Sequence, residues 1–171
     1  MNIELKKIKI NKSFSRETVC FTADLYVDNV KIGACENDGN GGNTFIYADK
    51  GKEEVLKSVE AYAKSLPKIP FGGMELDSDL ELIVDSLIDD EFNKKERDSF
   101  NKKIEKNCIN NIVFGIPGAG SYKTIGWGKH SLEQVAKANA VLFQQTVDKV
   151  RNSLQPGEVI FNKNINDFLK W

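Results

Sequence analysis

Between Thr18 and Val27 the chain alternates strictly: Val19, Phe21, Ala23, Leu25 and Val27 share one parity, and Cys20, Thr22, Asp24 and Tyr26 the other. Asp28 and Asn29 follow, two residues that tolerate positive φ, and they predict a two-residue type I′ turn. With that turn Val27 faces Val30, Leu25 faces Ile32 and Ala23 faces Ala34, so the apolar side chains of both strands fall on one face. On the other face Tyr26 meets Lys31, Asp24 meets Gly33 and Thr22 meets Cys35. Cys20 is then diagonal to Cys35, at about 7–8 Å between Cα atoms, too far for an unstrained disulfide. Upstream, Ile3 and Leu5 share one parity and Ile8 and Ile10 the other, which predicts an edge strand bulged near Lys6 and Lys7.

Further along, the apolar period changes from two to between three and four. Val55, Leu56, Val59, Tyr62, Ala63 and Leu66 predict a helix from about Asp49 to Leu66, stopped by Pro67 and Pro70. Phe71–Met74 reads as a mobile connector. Ser78 and Glu81 form a capping-box pattern ahead of Leu80, Ile83, Val84, Leu87, Ile88 and Phe92, and a polar extension carries that helix to about Lys106. Its acids, Glu75 to Glu91, precede its bases, Lys94 to Lys106, as the helix dipole favours. Asn110–Ile116 and Tyr122–Trp127 read as a second hairpin. Ser131 and Gln134 form another capping box, opening a helix to Leu154 that ends at Pro156-Gly157. Trp171, at the end of the tail, is expected to pack on the core. The architecture is α+β, an antiparallel β-meander with packed helices and a second, late β-hairpin. It reads as a single domain divided into a meander (1–48), a helical region (49–107), a hairpin (108–130) and a C-terminal helix with tail (131–171). At least one helix must cover the apolar face of the meander.

Composition narrows the function classes. The 171 residues are enough for one real core. A formal net charge of −1 argues against wrapping nucleic acid by bulk electrostatics. The N-terminus is charged where a signal peptide is apolar, and no stretch approaches the ~20 apolar residues of a membrane helix. The expectation is a cytoplasmic protein without a membrane partner. Cys20, Cys35 and Cys108 lack C-x-x-C spacing, and His130 is the single histidine, so neither a metal nor another cofactor is expected.

Two glycine-rich turns carry candidate chemistry. In Asn37-Asp38-Gly39-Asn40-Gly41-Gly42-Asn43 the glycines let backbone N–H groups approach an anion or a planar ring, and the asparagine amides add donors and acceptors. The same residues also suit a sharp connection that requires left-handed backbone. Gly115 to Thr124 has the glycines of a phosphate loop, but Ser121 follows Gly120 where a lysine is needed, and a strand follows where a helix is needed. Tyr122, Lys123 and Trp127 offer a ligand one charge and two stacking faces, or form an ordinary hairpin. His130 reads as a helix-entry residue. No local motif recommends it as a base for Cys35 or Cys108; Asp24 and Asp38 could hold a metal ion, but paired carboxylates on loops are common without function.

Cys20 to Asp28, then Lys31-Ile32-Gly33, then Asn37 to Gly42 together resemble a group of small proteins encoded by phages and mobile elements, notably of gut bacteria. Members share a hairpin, an N-D-G-x-G-G loop, a central charged helix and a late hairpin. The similarity covers most of the first 130 residues loosely and the loop closely. Asn40 stands where such proteins often carry histidine, which speaks against histidine chemistry there. The resemblance implies a setting, host cytoplasm and counter-defence, and no mechanism. The expected function is a non-enzymatic module that sequesters a small anionic, nucleotide-like signalling ligand. Its expected site is Asn37, Asp38, Gly39, Asn40, Gly41, Gly42 and Asn43 with Tyr122, Lys123 and Trp127, and a homo-oligomer would be one way to complete the pocket. The alternative is an inhibitor of a host defence protein or nucleic-acid-processing complex, using the acidic helix between Glu75 and Glu91 as a nucleic-acid-like surface.

Overall fold

A computed structural model describes residues 1–163 and 165–168. The fold is α+β, and its residue contacts gather into two compact units, Met1–Lys94 and Lys95–Trp171.

The first unit is built on a four-stranded antiparallel sheet in sequential order: β1 (Ile3–Ile10), β2 (Phe21–Val27), β3 (Val30–Asn37) and β4 (Phe45–Ala48). The turn residues Asp28 and Asn29 have φ of 48° and 68°, the left-handed pair of a type I′ turn. β1 is an edge strand whose register with β2 slips between Lys6 and Lys9, where Lys7 takes φ 53°. Phe21, Ala23, Leu25 and Val27 are all buried, as their alternation requires.

The hairpin register is corrected beyond its first two pairs. Val27 faces Val30 and Tyr26 faces Lys31, but a bulge then sets Leu25 opposite Gly33, Asp24 opposite Ala34, Ala23 opposite Cys35 and Thr22 opposite Glu36. The cause is packing: the extra residue lets Ile32, Cys35 and Asn37 all turn inward, where unbroken alternation would have turned Cys35 and Asn37 out. Gly33 permits the close approach of β4, since a Cβ there would run into the Tyr47 carbonyl oxygen.

The inner face is covered by two helices, α1 (Glu53–Lys64) and the first half of α2 (Leu80–Asn107). Leu56, Val59 and Ala63 of α1 and Leu80, Val84 and Ile88 of α2 join the buried sheet residues in one core. α1 begins four residues later than Asp49, because Asp49 still belongs to the ladder through its N–H to the Ile32 carbonyl. α2 is capped by Asp79, whose carboxylate accepts the Leu82 N–H at 2.8 Å, instead of by the Ser78–Glu81 box. Glu81 is drawn instead to Thr44, whose N–H it accepts at 2.8 Å. The stretch after Pro67, expected as a connector, contains a short hairpin. Strands β5 (Ile69–Phe71) and β6 (Met74–Leu76) pair across Gly72 and Gly73, both at positive φ.

The second unit contains the end of α2, strands β7 (Asn111–Gly115), β8 (Lys123–Gly126) and β9 (Val159–Ile160), and helices α3 (Leu132–Ala138) and α4 (Ala140–Ser153). β7 is the middle strand, antiparallel to β8 and to β9. Its core joins Ile112 and Phe114 to Leu132, Val135, Phe143, Val147 and Val150. The expected single C-terminal helix is split at Asn139, although the Ser131–Gln134 capping box forms as read. A continuous helix would have aimed the Asn139 amide into the apolar stripe; the break lets Oδ1 accept the Leu142 N–H at 3.0 Å and cap α4. Asn162, buried, accepts the Val113 N–H and donates to the carbonyls of Cys108 and Asn111. Trp171 lies outside the described residues.

Candidate functional site

The solvent face of the first sheet collects the residues that alternation turns outward: Lys7 and Lys9 from β1, Thr22 and Asp24 from β2, Glu36 from β3, and Phe45 and Tyr47 from β4. Lys9, Thr22, Glu36, Phe45 and Tyr47 line a cleft of about 650 Å³ whose end is closed by Asn37 and Asp38. That volume falls within the range of small-molecule sites. A shallower extension of about 250 Å³ continues past Tyr47 towards Lys7 and Asp24.

Phe45 and Tyr47 give the cleft its apolar wall. They are 58% and 49% exposed, and their rings lie within 15° of parallel with centroids 6.4 Å apart. Residues two apart on a strand stand side by side on one face, so the F-x-Y spacing itself produces the pair. The Tyr47 hydroxyl donates to Glu36 at 3.4 Å, and partial burial together with the Glu36 charge raises its pKa.

The polar side of the cleft is mixed in sign. Asp24 is neutralised by Lys31 and Lys7, each 3.0 Å away, and Lys31 first, then Lys7, holds its carboxyl below the usual range. Lys9 is exposed at the opposite wall. Asp38 is held ionised mainly by the Asn40 N–H, which donates to it at 3.0 Å.

The glycine-rich loop is organised by Asn37. Its buried amide is saturated: Oδ1 accepts from the Thr18 hydroxyl and the Gly39 N–H, both at 2.8 Å, and Nδ2 donates to the Gly42 carbonyl and the Thr44 hydroxyl. Gly39, at φ 85°, presents its carbonyl to the N–H groups of Arg16, Glu17 and Thr18. A Cβ at Gly39 would meet the Phe14 carbonyl oxygen, which explains glycine there. The N–H groups of Gly39, Asn40 and Gly41 are taken by Asn37, Asp38 and Thr18. Asn37 and Asp38 therefore form the end wall of the cleft, while Asn40, Gly41, Gly42 and Asn43 are exposed.

Beneath the loop, the Thr44 hydroxyl donates to Asp85 at 2.5 Å. Burial is the main cause of a raised Asp85 pKa, and the charges of Glu81, Asp89 and Asp79 push the same way against the Thr44 hydrogen bond. Two carboxylates of the acidic helix, Glu81 and Asp85, thus hold the start of β4 and are withdrawn from the exposed acidic run.

Tyr122, Lys123 and Trp127 belong to the second unit, where each has a local role. The Tyr122 hydroxyl accepts from Asn107 and its ring tilts against Phe100. Lys123 pairs with Glu158 at 2.7 Å and lies over the Phe114 ring. Trp127, half-buried, packs on Phe143 at 5.9 Å. His130 is exposed. All three cysteines are free thiols; burial pushes Cys35 up to about 12 and also raises Cys108, so both are poor nucleophiles at neutral pH.

Sequence reasoning did not single out Phe45, Tyr47 and Lys9, which line this cleft. Their signal was present in the alternation of β1 and β4, which turns Lys9, Phe45 and Tyr47 to the outer face of the sheet. No protein-family model, no curated protein and no solved structure matches this chain. No helix among the described residues is long and apolar enough to cross a membrane.

Proposed function

We propose that the chain is a binding module that holds a small anionic, nucleotide-like ligand on the outer face of its N-terminal sheet without turning it over. The observation that carries this reading is the exposed, parallel Phe45–Tyr47 ring pair over a 650 Å³ cleft with Lys9 on the opposite wall. A base stacks on such rings whatever its identity. The ammonium of Lys9 suits a phosphate, while Glu36 and Asp38 accept hydrogen bonds from exocyclic amines or ribose hydroxyls. In the setting implied by the resemblance, such a module acts by removing a nucleotide immune signal from its sensor.

A thermal-shift screen against mononucleotides, cyclic dinucleotides and ADP-ribose, with ribose 5-phosphate and pyrophosphate as controls, tests the reading. A ligand that binds only the folded chain stabilises it by RT ln(1 + [L]/Kd). Base-bearing ligands are expected to raise Tm and the controls to leave it unchanged. Replacing both Phe45 and Tyr47 by alanine is expected to weaken binding about ten- to a hundredfold, as loss of one stacked base implies. Mass spectrometry should recover the ligand intact. A panel with no shift, or a shift that survives the double substitution, overturns the proposal.

A further inference from the structure

The register of the N-terminal sheet fixes the order in which the cleft residues stand. Lys9 pairs with Thr22, Thr22 with Glu36 and Glu36 with Phe45, so four exposed residues form one row across β1, β2, β3 and β4. Glu36 is the member of that row next to the rings. The Tyr47 hydroxyl donates to its carboxylate at 3.4 Å, which sets the carboxylate at the hydroxyl edge of the Tyr47 ring. A base stacked on the ring pair therefore presents one of its edges to Glu36. A carboxylate accepts at about four lone-pair sites and donates at none, so the bond from Tyr47 leaves Glu36 free to accept two more. Asp38, the other carboxylate of the cleft, belongs to the end wall and already accepts the Asn40 N–H.

We propose that the ligand of this cleft is a guanine nucleotide carrying a single phosphate, with Glu36 as the residue that selects the base. The inference rests on the binding reading given above and adds to it the identity of the base and the number of phosphates. Guanine alone among the common bases sets two donors side by side on its pairing edge, N1–H and the N2 amino group. Adenine and cytosine set an acceptor nitrogen beside their amino group, and uracil flanks one N–H with two carbonyls. Opposite a carboxylate those acceptors lose their partners and meet negative charge, and a site built for donors rejects such analogues strongly. The phosphate number follows from the charges that line the cleft, one ammonium, Lys9, against Glu36 and Asp38. Lys7, in the shallower extension, is held by Asp24 at 3.0 Å. Lys9 stands two strands beyond Glu36, about 10 Å away, on a flexible stem that brings its charge to one phosphate. Further phosphates would find two carboxylates and no second ammonium.

Titration calorimetry of the intact chain with GMP, IMP, AMP, CMP, UMP and GTP tests the proposal. GMP is expected to bind at least about tenfold more tightly than AMP, CMP and UMP. IMP, which keeps N1–H and lacks the N2 amino group, should fall between, and GTP should bind more weakly than GMP. Glu36→Gln replaces one acceptor by a donor, the pattern that pairs with adenine. It is expected to weaken GMP at least about tenfold and to erase or reverse the preference over AMP, an exchange that a merely structural role of Glu36 would not produce. Glu36 is exposed, and the circular dichroism of the variant should match the parent. Nucleotides of every base binding alike, or another base preferred, would overturn the guanine assignment and leave the binding reading standing. A preference for GMP that persists in Glu36→Gln would overturn the role of Glu36, and GTP binding as tightly as GMP the phosphate number. No binding by any nucleotide would overturn both the binding reading and this one.

Discussion

At the residue scale, two buried polar groups decide how the loop and β4 are held. Asn37 makes four hydrogen bonds from one amide and so ties β2's approach, the glycine turn and β4's start together. Asp85 contributes through its bond to Thr44, at the cost of partial burial among Glu81, Asp89 and Asp79. Its folded pKa lies above the ordinary value, so the folded state binds its proton more tightly than the unfolded state does. That penalty is absent below the ordinary carboxylate pKa, grows as pH rises to the folded pKa, and is constant above it. Asp85→Asn keeps the shape and an acceptor for Thr44 while removing the charge. It is expected to raise the urea midpoint at pH 7 and to flatten its pH dependence on the acid side. A variant less stable than the parent at pH 7 would contradict that account.

At the element scale, the split between α3 and α4 shows a local polar residue overriding a helical period. Leu132, Val135, Phe143 and Val147 read as one stripe, but Asn139 lies on that stripe and acts as a cap. Asn139→Ala removes the Leu142 N–H acceptor and is expected to cost about 1 kcal/mol, as N-cap losses do. Equilibrium denaturation reads this directly, and an unchanged midpoint would mean the break is imposed by packing alone. The strands were more legible than their register. Alternation and the Asp28-Asn29 turn were enough to place β2 and β3, because both signals are local. The bulge at Ile32 was not legible, since it answers to what lies under Cys35 and Asn37. The pairing across Gly72-Gly73 is local too, but Pro67 and Pro70 masked it by reading as breakers.

At the scale of the whole molecule, each unit is closed by contacts between residues far apart in the chain. In the second unit Asn162 reaches across about fifty positions to satisfy Val113, Cys108 and Asn111. Asn162→Ala strands three backbone groups in a buried place and is expected to cost at least about 2 kcal/mol. Hydrogen exchange should speed at Val113 more than at Leu25, which belongs to the other core. Equal acceleration at both would show that the two cores are energetically one. The candidate site divides along the same line. The sequence by itself determined the α+β class, the strands β1 to β3, the turn at Asp28-Asn29, the bulged β1 edge and the prominence of the Asn37–Asn43 loop, all of which rest on interactions within a few residues. Only the tertiary structure decided that the Gly39, Asn40 and Gly41 amides are spent on Asn37, Asp38 and Thr18, that Glu81 and Asp85 turn to Thr44, and that Phe45 and Tyr47 stand with Lys9 around one cleft. Those outcomes depend on which distant groups arrive at hydrogen-bonding distance, and spacing along the chain does not carry that information.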